Sequence, residues 1–199
     1  MIKKTTPLKY PIDKLIESRW SPRSFNKDMK VEREKVLSIC EAARWAPSCF
    51  NEQPWRFIVF DRSHNESDFK KGFDCLGEWN QKWAQNCSLL IAVVSHDKFV
   101  KNSNPNSWSG YDSGAAAQNM CLQATSLGLM SHQMGGFDSK KLINDFNIPQ
   151  DHSAIAMIAF GYQAELSAVD EAYHEAELKE RSRIELENNF FDGSWGKGI

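Results

Sequence analysis

The sequence predicts an α+β domain in which a small sheet is covered by helices. Three observations lead there. Strand-length apolar runs occur at Arg56–Phe60, Ser88–Ser95 and Ser153–Phe160. Segments with helical character lie between and around them, above all 31–46 and Tyr111–Leu127. Helices outnumber strands, and neither a repeat nor a low-complexity segment interrupts the pattern, which describes a sheet with helical cover.

In chain order, residues 11–17 read as a short helix that ends before the Ser21-Pro22 turn. Over 31–46, Val36, Ile39, Cys40 and Ala43 share one face, and the helix stops before Pro47 because a proline disfavours helical backbone in the residue ahead of it. Arg56–Phe60 is a strand, followed by helical segments over 68–85. Ser88–Ser95 is almost wholly apolar and is expected to be covered on both faces. Tyr111–Leu127 is rich in Ala, Gln and Met; its small residues suit close packing at the centre, with Gly128 as the C-terminal cap. A short strand (129–133), a short helix (140–146) and the strand 153–160 follow. The charged segment 170–187 is expected to be helical and leads into an aromatic, glycine-rich end at 190–199. That end cannot bury itself well, so docking on a second subunit is expected.

The 199 residues fit one domain, and 41% apolar with 12% aromatic content can build a core. A net charge of −2, with Lys and Arg spread along the chain, argues against a nucleic-acid partner. No apolar run approaches the roughly 20 residues of a membrane span. The start of the chain, residues 1–9, is polar with no signal-peptide core, so a cytoplasmic protein is expected. The five cysteines form no CxxC pair and their number is odd, which speaks against a disulfide framework or a zinc site. The histidines show neither HExxH nor HxxxH spacing, so no metal site is expected.

Four segments carry candidate chemistry. In Arg19-Trp20-Ser21-Pro22-Arg23, an extended backbone puts Arg19, Ser21 and Arg23 on one side, where guanidinium forks and a hydroxyl suit a phosphate; a solvated basic turn is the plain alternative. In Ala46-Pro47-Ser48-Cys49-Phe50-Asn51-Glu52-Gln53-Pro54-Trp55, two prolines stiffen a loop bearing Ser48, Asn51 and Gln53. Pro54 is expected to hold Gln53 extended. Such a loop can read a flat polar heterocycle, or it can be a turn satisfied by its own backbone. In Met134-Gly135-Gly136-Phe137-Asp138 the glycines allow a backbone N–H close to a ligand, and Asp138 caps the next helix. Arg181-Ser182-Arg183 is a second basic pair, read alone as a solvated helix face, and Asn80 alone reads as a surface or cap residue.

Taken together and in this order, the segments from Leu15 to Gly196 resemble the nitroreductase family of flavoproteins: Arg-x-Ser-x-Arg, Pro-Ser-x-x-Asn-x-Gln-Pro-Trp, the long central helix, Gly-Gly-Phe-Asp and a basic pair before a final Trp-Gly. The resemblance implies a mostly antiparallel central sheet under helices, and an intertwined homodimer with FMN at the subunit interface, the tail from about 170 to 199 wrapping the partner. It implies that Arg19 and Ser21, with Arg181 and Arg183, hold the FMN phosphate. Arg23 would lie by the ribityl chain or the N1/O2 edge, where a cation suits the charge that reduction places there. Ser48, Asn51 and Gln53 would bond the ribityl chain and ring edge, Asn80 the pyrimidine edge, and the Gly136 N–H, with Gly135 beside it, flavin N5. Trp20, Pro47, Cys49 and Met134 fall within the same motifs.

The implied activity is hydride transfer from NADH or NADPH through the flavin to a small acceptor, such as a nitroaromatic, a quinone or an activated alkene, by ping-pong exchange and without a catalytic acid, base or nucleophile. Two departures bear on the acceptor. Trp83 stands where some relatives carry a lysine, and is expected to narrow or cap the pocket; Gly135 stands where some carry a glutamate. Three other readings remain. A Rossmann dehydrogenase lacks its GxGxxG here. A flavin carrier or sensor without turnover would share every FMN residue. A hydrolase would use Cys49 with His132 or His96.

Overall fold

The computed structural model describes residues 2, 4 and 6–199, so the polar start read at 1–9 lies partly outside the described residues. Its centre is one four-stranded sheet, in spatial order β1-β2-β4-β3, with every pairing antiparallel. The strands are β1 (Trp55–Asp61), β2 (Leu89–His96), β3 (Met130–Met134) and β4 (His152–Gly161). The four strand expectations therefore hold, with ends displaced by a residue or so, as hydrogen-bonded ladders run past the apolar run that announces them. β2 is central, and Leu89 through Ser95 are all buried, as its continuous apolar run requires.

Among the described residues seven α-helices accompany the sheet: α1 (Lys14–Ser18), α2 (Arg33–Arg44), α3 (Glu66–Phe73), α4 (Glu78–Ala84), α5 (Ser109–Ser126), α6 (Ser139–Asp145) and α7 (His174–Leu178). Successive β2 residues face opposite sides and so build two cores. Leu89, Ile91 and Val93 pack with Val36, Ile39 and Ala43 of α2 and with Ala116, Ala117, Met120 and Ala124 of α5. Leu90 and Ala92 pack with Phe60, Phe69, Trp83 and Leu142 under α3, α4 and α6. The small residues of α5 let it lie close against both α2 and the sheet. It ends as expected: Gly128 takes φ +76°, the Gly128 N–H donates to the Thr125 carbonyl, and the Leu129 N–H donates to the Ala124 carbonyl. These two bonds satisfy carbonyls that a helix end otherwise strands.

The expected helix over 170–187 is a correction. Only α7 and short 3-10 turns at Glu171–Tyr173 and Leu186–Asn188 form, and 179–185 has no regular structure. A charged segment with no apolar stripe gains little from packing as a helix. Its side chains bond instead to the head of the chain: Glu177 accepts from the Arg23 N–H and the Ser24 hydroxyl, and Lys9 pairs with Glu185. No helix of the described residues is long and apolar enough to cross a membrane.

Gly72 of α3 is required by packing. A Cβ there would stand 2.7 Å from the Phe60 ring, which is 1% exposed and cannot retreat. Gly72→Ala is therefore expected to lower stability by about 1–3 kcal/mol through overpacking, outweighing the roughly 1 kcal/mol that alanine adds to a helix. A urea midpoint equal to or above that of the parent would show that the contact is slack.

Candidate functional site

The head of the chain leaves α1 in extended conformation, with Arg19 at φ −68° and ψ 128°. Trp20, Pro22 and Ser24 are buried, while Arg19, Ser21 and Arg23 alternate with them on the outer side. The expected alternation is thus present. The tail comes to meet it. The Arg181 guanidinium donates to the Arg19 carbonyl at 2.7 Å and to the Glu17 carbonyl, where α1 has run out of N–H partners. Arg183 lies exposed beyond it.

This convergence is electrostatically costly. Burial, and then the Arg19 and Arg183 charges, hold the Arg181 guanidinium below its ordinary value, against the pull of Glu17. Burial does the same to Lys4; Glu177 opposes it, and Arg181 and Arg23 reinforce it. Glu177, 1% exposed, is the buried counter-charge, and it is spent on Arg23 N–H and Ser24. The Nε atoms of Arg23 and Arg181 are buried and have no hydrogen-bond partner among the described residues. Packed guanidinium groups with unmet donors are matched by an anion with several acceptor oxygens, and a phosphate supplies them.

The second cluster is the loop from Ala46 to Pro54. It holds three non-glycine residues in the left-handed region: Phe50 at φ 52°, Asn51 at 56° and Gln53 at 50°. The expectation that Pro54 keeps Gln53 extended is corrected here. Local bonds override the steric preference: the Gln53 N–H donates to Ser48 Oγ at 2.9 Å, Gln53 Nε2 to the Asn51 carbonyl at 3.1 Å, and Arg56 to the Gln53 carbonyl at 3.0 Å. Asp112, buried on α5, anchors the loop by accepting from the Cys49 N–H at 3.0 Å. Each left-handed residue costs about 1–2 kcal/mol. Pro47, Asn51 and Gln53 are exposed, and Ser48 and Cys49 are half-buried.

The third cluster surrounds the glycine turn after β3. An isolated bridge between Leu76 and Phe137 brings the start of α4 alongside it. The Gly136 carbonyl accepts from the Gly77 N–H at 3.0 Å and from Asn80 Nδ2 at 2.9 Å. A Cβ on Gly136 would stand 2.8 Å from that Asn80 nitrogen, so a side chain there would displace the Asn80 amide. Gly135 and Gly136 are exposed, whereas the Met134 side chain is in the core at 3% exposure. Asp138 caps α6 as expected, accepting from the Lys141 N–H at 2.9 Å.

Trp83, expected to narrow or cap the pocket, is itself almost wholly buried and borders a small cleft with Arg23, Lys82 and Tyr173. It is 1% exposed, stacked on Phe25 at 6.0 Å and on His132 at 4.5 Å. On α4 it lies three residues after Asn80, most of a helical turn on, and faces the apolar core under the sheet.

The sequence marked His132 only as a rival base. Its Nδ1 lies 2.8 Å from the Pro22 carbonyl, which accepts the ring proton. It thereby joins β3 to the arginine segment. His96, the other candidate partner of Cys49, faces Asp151 instead. Among the described residues no hydrogen bond joins either histidine to Cys49. Glu177 and Asp112, the two buried carboxylates that organise the clusters, carried no motif that would have singled them out.

The clusters do not all meet within one chain. The arginines and the glycine turn lie at the β3 edge of the sheet; the Ala46–Pro54 loop feeds β1 at the other edge. Three strand spacings, about 14 Å, separate the edges.

Burial pushes the His132 imidazole down to about 4, with the Arg23 and Arg19 charges adding to the effect and the Pro22 carbonyl opposing it. Its folded value lies below its unfolded one, so the unfolded chain takes up the proton first. The resulting stability is complete above pH 6.5 and is lost as pH falls toward 4. His132→Gln is expected to remove roughly 2–3 kcal/mol of the stability difference between pH 7 and 4.5. Urea unfolding of both proteins at both pH values measures this; parallel pH profiles would contradict it.

Comparison with known proteins places the chain in a family. The family model described as "Nitroreductase family" matches residues 16–73 and 66–162. A solved oxidoreductase containing FMN superposes with a TM-score of 0.88 at 33% identity, covering 96% of each chain. An NADH dehydrogenase/NAD(P)H nitroreductase sequence from Archaeoglobus fulgidus is 30% identical over 153 residues, covering 75% of this chain and 83% of its own. The major NAD(P)H-flavin oxidoreductase of Aliivibrio fischeri is 29% identical over 93 residues, covering 47% of this chain and 43% of its own. With three site clusters in family order on an all-antiparallel sheet, and a family match across most of the sequence, the chain belongs to the nitroreductase family.

Proposed function

We propose that this chain is an NAD(P)H-dependent oxidoreductase that holds FMN between two copies of itself and reduces a small flat acceptor. The observation that carries the reading is the contact of Arg181 with the Arg19 carbonyl, 162 residues apart in sequence, which brings the two basic segments together, with the buried Nε atoms of Arg23 and Arg181 lacking a partner among the described residues. A monoester phosphate fits this cluster in charge and in acceptor number. The Asn80–Gly136 pair and the exposed amides of Asn51 and Gln53 fit the polar edges of a flavin ring.

Two copies are needed because of the sheet. A single flavin cannot reach both edges of one sheet across its faces, which helices cover. A partner can bring its Ala46–Pro54 loop to the arginine cluster of the first copy. The exposed apolar side chains favour such an assembly: Trp45, Phe50 at 90%, Trp108, Tyr111 at 76% and, in the tail, Ile184, Phe190, Trp195 and Ile199. Exposed large apolar groups in this number suit contact with a second copy. The tail from about 170 to 199 would end on the partner.

When bound, FMN supplies two-electron transfer between a nicotinamide and an acceptor that use the same face in turn, hence ping-pong kinetics. The residues of this chain bind and tune it. Arg19, Arg181 and Arg183 would hold the phosphate with Ser21, and Arg23 would present positive charge where reduction adds negative charge. Gly136, where a side chain would displace the Asn80 amide, would keep the backbone close to the ring. The strained loop would hold Ser48, Asn51 and Gln53 ready without reorganisation. Neither a nucleophile nor a catalytic acid is required. Nitroaromatics, quinones and activated alkenes would all suit such a site.

The double variant Arg19→Ala with Arg183→Ala is expected to lose FMN while keeping its fold, since each substitution removes a charge-assisted bond worth about 1.5–3 kcal/mol. Flavin absorbance per chain and fluorescence titration measure the loss; a preparation as yellow as the parent would remove the phosphate assignment. Arg181→Ala should behave differently. It unties the tail from Glu17 and Arg19, so the melting temperature should fall together with flavin content. A quinone assay with NADH and NADPH separates the enzyme from a flavin carrier: flavin that neither nicotinamide bleaches would favour the carrier.

A further inference from the structure

Away from these clusters, His96, Asp151 and His152 stand together at one end of the sheet, with potential ligand atoms all within 4.8 Å of one another. No spacing in the sequence announces the group, because its members come from two strands. β2 ends at His96, and β4 begins at His152. A bulge makes them face each other. Val93 pairs with Ala156 and Val94 with Ala154, so Ile155 is the extra residue, and beyond it His96 falls opposite His152. Had the register of the Val93–Ala156 pair run on without the bulge, His96 would meet Ser153, and the histidines would point to opposite faces. Bulges that re-aim a side chain in this way recur next to functional sites.

The geometry is close to that of a three-ligand site. The imidazole rings lie 4.7 Å apart, inclined by 32°. His96 Nε2 is 3.4 Å from Asp151 Oδ2, and His152 Nδ1 is 2.8 Å from Asp151 Oδ1. A tetrahedral ion with bonds of about 2.1 Å separates neighbouring donors by about 3.4 Å. The His96 contact is at that spacing; the His152 contact runs to the other carboxylate oxygen, so one Asp151 oxygen serves both imidazoles only after the carboxylate turns as an ion replaces the proton on His152. The histidine side chains are largely buried, at 16% and 15% exposure, and Asp151, at 37%, opens the group to water on one side. The backbone is braced: the Asp97 N–H donates to the Asp151 carbonyl at 2.9 Å, and the His152 N–H to the Pro149 carbonyl at 3.1 Å. The neighbouring Asp97 carboxylate is occupied by the hydroxyls of Ser95, Ser109 and Ser153, so it orients the strand ends and does not join the donor set.

We propose that His96, Asp151 and His152 bind one divalent transition-metal ion of the zinc class, with water in the open position. Two imidazoles and one carboxylate match the preference of such ions over calcium or magnesium, which favour all-oxygen sites. The ion pins the ends of β2 and β4 together. It also steadies the Ala46–Pro54 loop, because the His96 N–H donates to the Pro54 carbonyl at 2.9 Å.

The test is calorimetric titration of the full-length protein, as purified and freed of metal, with zinc chloride in a non-chelating buffer, together with thermal melting at each zinc concentration. Saturable binding of one ion per chain and a rise in melting temperature are expected, since the ion binds the folded state alone. His96→Gln, His152→Gln and Asp151→Asn should each weaken binding roughly tenfold or more. Asp151→Asn preserves shape at a half-exposed position and keeps the test valid if a histidine variant does not fold. No saturable binding overturns the proposal. So does binding of unchanged affinity in Asp151→Asn and the folded histidine variants, which would place the ion on cysteine or elsewhere.

Discussion

The architecture of the site depends on one repulsion that the fold tolerates. Arg181 is drawn in beside Arg19 because the end of α1 presents carbonyls without partners, and guanidinium donors meet them. Glu177, buried one helix end away, fastens the tail to Arg23 and Ser24. Each of these bonds is ordinary; their sum places like charges together at the β3 edge. A cluster of that kind stores electrostatic work that an incoming anion would release, which is why the proposed phosphate site is placed there.

The rest of the molecule keeps this cluster and the two polar clusters rigid. The sheet is covered on both faces, its central strand β2 is buried from Leu89 to Ser95, and α5 packs closely because its buried residues are mostly small. Against that frame the Ala46–Pro54 loop can hold three left-handed residues, and Asn80 can sit against a glycine carbonyl. Strain persists where surrounding bonds over-determine it. Trp83 is drawn into the core, stacked on Phe25 and His132, and with Arg23, Lys82 and Tyr173 it also lines a small cleft.

Much of the site was legible because its motifs are local. Arg19, Ser21 and Arg23 alternate with buried neighbours in a short extended run, and such a run shows its two sides in the sequence itself. The glycine turn and the Asp138 cap are likewise read from residues within three or four positions of each other. Gln53 was misread since the rule for a residue before proline is a steric preference, and three specific hydrogen bonds outweighed it. The tail was misread as helix because charge pattern alone says nothing about what the segment can dock against.

By itself, then, the sequence determined the strands, the long helix with its glycine cap, the core faces of α2 and the presence of phosphate- and amide-type chemistry, since each depends on periodicity or on a few adjacent residues. Tertiary structure alone decided which distant groups meet: Arg181 with Arg19, Glu177 with Ser24, His132 with Pro22, and His96 with His152 through a single bulged residue. It also decided that the polar loop and the arginines stand at opposite edges of the sheet. Strand order and register are products of how the chain packs its cores, and no local pattern encodes them.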